Sequence, residues 1–94
     1  MTALDDDEVR SRLVGLPSWG LADEQIVTDY RFDDFRQAVA FVVRVAFEAE
    51  GVDHHPDIDV RYNRVRIALS THSAGGVTDK DLDLAAVIEG ASGR

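Results

Sequence analysis

Hydrophobic positions along the chain switch between a period of two and a period near 3.6, and the switches mark out its elements. In "QIVTDYRF", residues 25–32, Ile26, Thr28, Tyr30 and Phe32 alternate with Val27, Asp29 and Arg31. That alternation predicts a half-buried strand. "DDFRQAVAFVVRVAFEAEG" predicts the longest helix, capped by Asp33 or Asp34 and ended near Gly51. Only Gln37, Arg44 and Glu48 make a polar stripe on it, so the helix is expected to be covered on more than one side. Its cover would come from the sheet and the other helices, or from a second subunit.

"IDVRYNRVRIALSTH" reads as a hairpin in which Ile58, Val60 and Tyr62 share a face with Val65, Ile67 and Leu69. A two-residue turn is expected at Asn63-Arg64, because asparagine tolerates positive φ. The other face carries Asp59, Arg61, Arg66, Ser70 and His72, the mixed charges of a solvated sheet surface. A short first helix, about Asp6 to Val14, is capped by Asp5, with Glu8 placed to complete a capping box. Val9, Leu13 and Leu16 form its inner face, and Gly15 and Pro17 end it. "SWGL" predicts a turn or a very short strand. "TDKDLDLAAVIEG" predicts a last helix with Thr78 as N-cap and Leu82, Ala85 and Ile88 inside, after which "GASGR" frays. The order is helix, strand, strand, helix, strand, strand, helix. It predicts an α+β two-layer sandwich with three helices on one face of a four-stranded antiparallel sheet.

Ninety-four residues suffice for one domain, 1–94. A formal charge of −8 disfavours nucleic acid and anionic membrane as partners. A small neutral or cationic ligand, or a protein, fits better. No apolar run reaches the roughly 18–20 residues of a membrane span. The acidic start lacks the features of a signal peptide, and there is no cysteine. The expectation is a cytoplasmic protein.

Candidate chemistry concentrates on the three histidines, His54, His55 and His72, with Glu50, Asp53, Asp57 and Asp81 as neighbouring carboxylates. A metal site is one reading, but adjacent side chains on extended chain point apart, and neither His-x-His nor His-x3-His spacing is present. Acid–base chemistry is the second reading, since an imidazole with a pKa of about 6.5 exchanges protons near neutrality. Nearby carboxylates would raise that value. The third reading is structural: a polar turn at His-His-Pro, a surface histidine at a strand end, and Asp81 serving only as N3 of its helix.

Glu50-x3-His54-His55-Pro56, followed by Tyr62, His72 and Asp81 at their spacings, resembles the signature of the pterin-4a-carbinolamine dehydratases. "FDDFRQAVAFVVRVAFEAEGVDHHPD", "YNRVRIALSTH" and "GGVTDKDLDLAAVIE" resemble that family's central helix, hairpin and last helix. The likeness covers about Tyr30 to Glu89 well and the first helix loosely. It implies the same sandwich fold, assembled as dimers or tetramers. It also implies dehydration of 4a-hydroxytetrahydropterin to quinonoid dihydropterin, the recycling step that follows a pterin-dependent aromatic amino acid hydroxylase. No metal or redox cofactor is needed. Carried over by position, His54 and His72 are the acid–base pair, and Asp81 orients or charges a histidine. The implied substrate-binding set is His55, Glu50, Pro56, Ser70 and Thr71, with backbone groups of Ser70-Thr71 offered to the planar ring. Ile58 stands where the family often has tryptophan, and Ser73 where it often has an acid; both bear on pterin packing and specificity. The resemblance also carries an alternative function. The animal member doubles as a dimerisation cofactor for a homeodomain transcription factor, and some bacterial relatives have lost the activity. A binding or assembly factor without catalysis is therefore the second reading, and a plain oligomeric scaffold the third.

Overall fold

The structure, a computed structural model, describes residues 2–93. Its elements are α1 (Asp6–Arg12), β1 (Gly20–Ala22), β2 (Gln25–Arg31), α2 (Phe35–Gly51), β3 (Asp57–Arg61), β4 (Arg64–Leu69) and α3 (Asp79–Ala91), with 3-10 turns at Leu13–Gly15 and His72–Ala74. The strands form one antiparallel sheet in the order β1-β2-β4-β3. Ile26, Thr28 and Tyr30 of β2 and Val65, Ile67 and Leu69 of β4 are buried on one face. Against them pack Val9 of α1, Ala38, Phe41, Val45 and Ala49 of α2, and Leu82, Leu84, Ala85 and Ile88 of α3. The two-layer α+β sandwich is the observed fold. The opposite sheet face is open, and its charges pair with one another: Arg66 with Asp29 at 3.2 Å and Arg61 with Asp59 at 3.1 Å.

Helix starts obey the chemistry of their caps. Asp5 accepts from the Glu8 backbone N–H, and Asp34 from that of Gln37, each at 2.9 Å. That bond, with Arg36 beside it, holds the Asp34 carboxyl below its usual range. The capping box expected at α1 forms on one side only, since the Glu8 carboxylate lies 4.0 Å from Arg12 instead. α1 is also shorter than expected: its last turn tightens into the 3-10 turn, which keeps Leu13 buried and leaves Val14 exposed. At the other end, α3 continues through Gly90 and Ala91, where fraying was expected, and the Ser92 N–H donates to the carbonyls of Ile88 and Glu89. Arg94, the end of that stretch, lies outside the described residues.

Two turns depart from expectation. Arg61 pairs with Arg64, so the β3–β4 turn is Tyr62-Asn63, one residue earlier than Asn63-Arg64. Tyr62 takes the positive φ (53°) and is exposed, off the core face assigned to it. Asn63 has other work: its side-chain amide donates to the Phe32 carbonyl at 2.9 Å, and its own carbonyl accepts from the Phe32 N–H at 2.8 Å. The β1–β2 turn places Asp23 and Glu24 at φ 51° and 65°, left-handed conformations that usually call for Asn-Gly. A partly buried junction then ties the first half of the chain to α3, with Tyr30 Oη, Trp19 Nε1 and Ser18 Oγ donating to Glu89 Oε1 at 2.8, 3.1 and 3.3 Å.

α2 carries two apolar faces. One is buried on the sheet; the other, Phe35, Val39, Val43 and Phe47 at four-residue spacing, is exposed on the monomer. Burial of both faces was expected, and the single chain covers only one.

Candidate active site

The exit of α2 places the histidines. His54 N–H donates to the Ala49 carbonyl at 3.1 Å and Asp53 N–H to the Glu50 carbonyl at 3.2 Å, with Asp53 left-handed at φ 51°. This is the paired bonding of a Schellman motif, with aspartate in the position glycine usually fills. It reverses the chain directly before His54 and fixes where that residue starts. His54 and His55 then diverge. His54 Nε2 lies 2.5 Å from Asp81 Oδ1, and His55 Nε2 lies 2.8 Å from Glu50 Oε1. The His54–Asp81 side chains are 12% and 0% exposed, and the His55–Glu50 side chains 59% and 80%.

Asp81 does both jobs open to it in the sequence. It closes the capping box of α3 with Thr78, and it holds His54. Its Oδ2 accepts from the Thr78 N–H at 2.9 Å and from the Thr71 hydroxyl at 2.8 Å. Since Thr71 gives its proton to Asp81, the 2.7 Å contact between the two threonines runs from the Thr78 hydroxyl to Thr71 Oγ1. Every buried side-chain nitrogen and oxygen among the described residues has a partner. With Oδ2 occupied by two donors, Oδ1 is the acceptor for a His54 Nε2–H. Nδ1 is then the His54 ring nitrogen that Asp81 leaves unengaged.

A solvent-facing depression of about 330 Å³ is lined by Asp53, His54, His55, Ser70, Thr71, His72, Ser73 and Lys80. It brings together the three histidines and the Ser70-Thr71 segment. Glu50 does not line it and reaches it only through His55; Pro56 stands behind, half-buried, leading into β3. His72 opens the 3-10 turn after β4, where a strand end was expected. Thr71 has no backbone group to spare for a ligand: its N–H donates to the Gly76 carbonyl at 2.8 Å, and its carbonyl accepts from the Ala74 N–H at 3.0 Å. What Thr71 brings to the wall is a hydroxyl tied to Asp81. Of the two family departures, Ser73 faces the depression. Ile58 does not line it and pairs with Ile67 on the sheet.

Hydrogen bonding to Glu50 raises the His55 pKa above its usual value, and the charges of Glu50 and Asp53 add to this. The described residues hold no group of three or more His, Asp or Glu side chains arranged to bind a metal ion. The sequence reading missed Lys80. A single exposed lysine gives no pattern to notice, and only the fold brings it beside His54.

The family model described as pterin 4 alpha carbinolamine dehydratase matches residues 2–91. The chain belongs to this dehydratase family. A relative from Chloroflexus aurantiacus, provisionally named a pterin-4-alpha-carbinolamine dehydratase, is 52% identical over 89 residues, covering 95% of this chain and 96% of its own. One from Mycobacteroides abscessus with the same provisional name is 47% identical over the whole of both chains. Among solved structures, a transcriptional coactivator/pterin dehydratase from Brucella melitensis aligns with a TM-score of 0.92 at 35% identity, over 97% of this chain and 99% of that one. A pterin dehydratase-like RuBisCO assembly factor of the alpha-carboxysome shares the fold, with a TM-score of 0.67 at 20% identity over 80% and 87% of the two chains. Among the described residues no helix is long and apolar enough to cross a membrane.

Proposed function

We propose that this dehydratase-family protein removes water from 4a-hydroxytetrahydropterin by histidine acid–base catalysis. The observation that carries the reading is the largely buried His54–Asp81 pair, braced by Thr71 and Thr78, in the wall of a depression it shares with His72. In the reaction the C4a–O bond breaks with its electron pair going to oxygen. A proton is delivered there to make water, and the ring N5–H proton passes to a base as the C4a=N5 bond forms. One imidazole serves as acid and the other as base. Asp81 fixes the tautomer and orientation of His54, and His55 steadies the ring from the exposed side with Glu50 behind it.

The test is dehydration of enzymatically generated 4a-hydroxytetrahydropterin, monitored by absorbance. The folded protein accelerates it over buffer, and His72→Ala loses most of the rate without unfolding. No acceleration refutes the reading.

A second reading, an assembly or binding factor, draws on the exposed apolar stripe of α2 and on two structural neighbours, one named a transcriptional coactivator and the other a RuBisCO assembly factor. The stripe is better matched to a second copy of this chain, making a dimer or tetramer. Sedimentation at micromolar concentration gives an oligomer, which Phe47→Asp or Val43→Asp dissociates; wild-type monomer would refute it.

A further inference from the structure

Lys80 is the only lysine in a chain of 94 residues with a net charge of −8. As the second residue of α3 it sits in the first helical turn, where the helix dipole disfavours a cation. The carboxylates beside it are engaged elsewhere: Asp79 with Arg12 at 3.0 Å, and Asp81 with His54, Thr71 and the Thr78 backbone. Among the described residues Lys80 forms no ion pair, although Asp83 stands three residues further on.

Its surroundings account for the placement. Lys80 lines the depression that holds the three histidines. It also lines a separate cavity of about 170 Å³, together with His54, Glu48, Val52, Asp83, Leu84 and Val87. A lysine at such a boundary covers apolar surface with its stem and carries its ammonium toward the polar side.

We propose that Lys80 is a further substrate-binding residue, its ammonium held against the oxygen-bearing edge of the reacting pterin. This rests on the dehydratase reading. The C4 carbonyl and the departing C4a hydroxyl stand on adjacent carbons, so one ammonium with three donors spans both oxygens. Negative charge grows on the hydroxyl oxygen as the C4a–O bond breaks, and a fixed donor there favours the transition state over the ground state. Lys80 transfers no net proton; the imidazoles supply and accept those.

In a closed site, loss of one such donor costs about 10²–10³ in rate. For this open depression we expect Lys80→Gln to lower kcat/KM by roughly ten- to a hundredfold. Lys80→Arg should keep most of the activity, and ethylammonium should restore part of that lost in Lys80→Ala. Urea unfolding of each variant checks that the fold survives. A second readout does not need turnover. Reductive ¹³C-methylation leaves the charge in place and gives one dimethyl-lysine side-chain resonance. That resonance should shift on saturation with 7,8-dihydrobiopterin, with binding measured independently by fluorescence. Lys80→Gln matching an active wild type, or a resonance unmoved at saturation, overturns the role of Lys80. Failure of the wild type to accelerate dehydration refutes the dehydratase reading instead, and the resonance still decides whether Lys80 meets a bound pterin.

Discussion

His54 and His55 are neighbours in the chain, each with Nε2 on a carboxylate, yet the two pairs differ in almost everything else. His54 meets Asp81 inside the wall, where Asp81 also accepts from Thr71 and Thr78. His55 meets Glu50 in open solvent, and the Glu50 carboxylate makes no other hydrogen bond among the described residues. A buried carboxylate with all its bonds made is costly to disturb, while an exposed ion pair is screened and contributes little. The difference originates in the backbone at the end of α2. The reversal at Asp53 directs His54 toward the N-terminus of α3, and the next residue falls on the outer side. Side chains that would compete as metal ligands are thereby directed to separate carboxylates.

The largest effect should come from breaking the inner pair. Asp81→Ala leaves the His54 ring, the Thr71 hydroxyl and the Thr78 N–H without their acceptor, and we expect a loss of about 3–5 kcal/mol in urea unfolding. Asp81→Asn separates stability from chemistry. One amide oxygen can still accept at the cap, but the amide NH₂ faces His54 Nε2 and asks for the opposite tautomer. Most of the fold stability should survive and most of the rate should not. Equal stability of wild type and Asp81→Ala would mean that the network is not what holds this corner together.

The outer pair should respond in pH. The His55 pKa is raised in the folded state from 6.5, first through its hydrogen bond to Glu50. The stability this pair adds is therefore fully present below the unfolded value and is lost as pH rises through the raised folded one. Glu50→Gln should lower the His55 pKa in an NMR titration and flatten the pH dependence of stability in that window. An unchanged His55 titration would show that the pair does not form in solution.

Much of the fold was legible because each signal had a local cause. Asp5, Asp34 and Thr78 cap the helices they precede, and the alternation in β2 and β4 marked the buried face residue by residue. The three histidines and Ser70-Thr71 were legible as candidates and the fold gathers them at one depression, but Glu50 and Pro56 lie outside its lining, and the pairing of Asp81 with His54 required the fold. Sequence spacing cannot say which histidine a helix N-terminus 27 residues away will meet. The β3–β4 turn slipped by one residue because Asn63 is used to clamp Phe32, leaving the left-handed position to Tyr62. The backbone role expected of Thr71 failed for a similar reason: the loop after β4 folds back on itself and uses those groups at Gly76 and Ala74. Lys80 had no pattern to announce it.

The contrast between the two histidines comes down to one measurement. In the dehydration assay, with all proteins shown to be folded, His54→Ala and His55→Ala are compared with wild type. Loss of a proton-transfer group removes about 10²–10⁴ in rate. Loss of an exposed side chain that transfers no proton acts chiefly through KM and removes far less. The account predicts a steep loss for His54→Ala, a shallow one for His55→Ala, and clear acceleration by the wild type. Equal losses, or a steeper loss for His55→Ala, would contradict it.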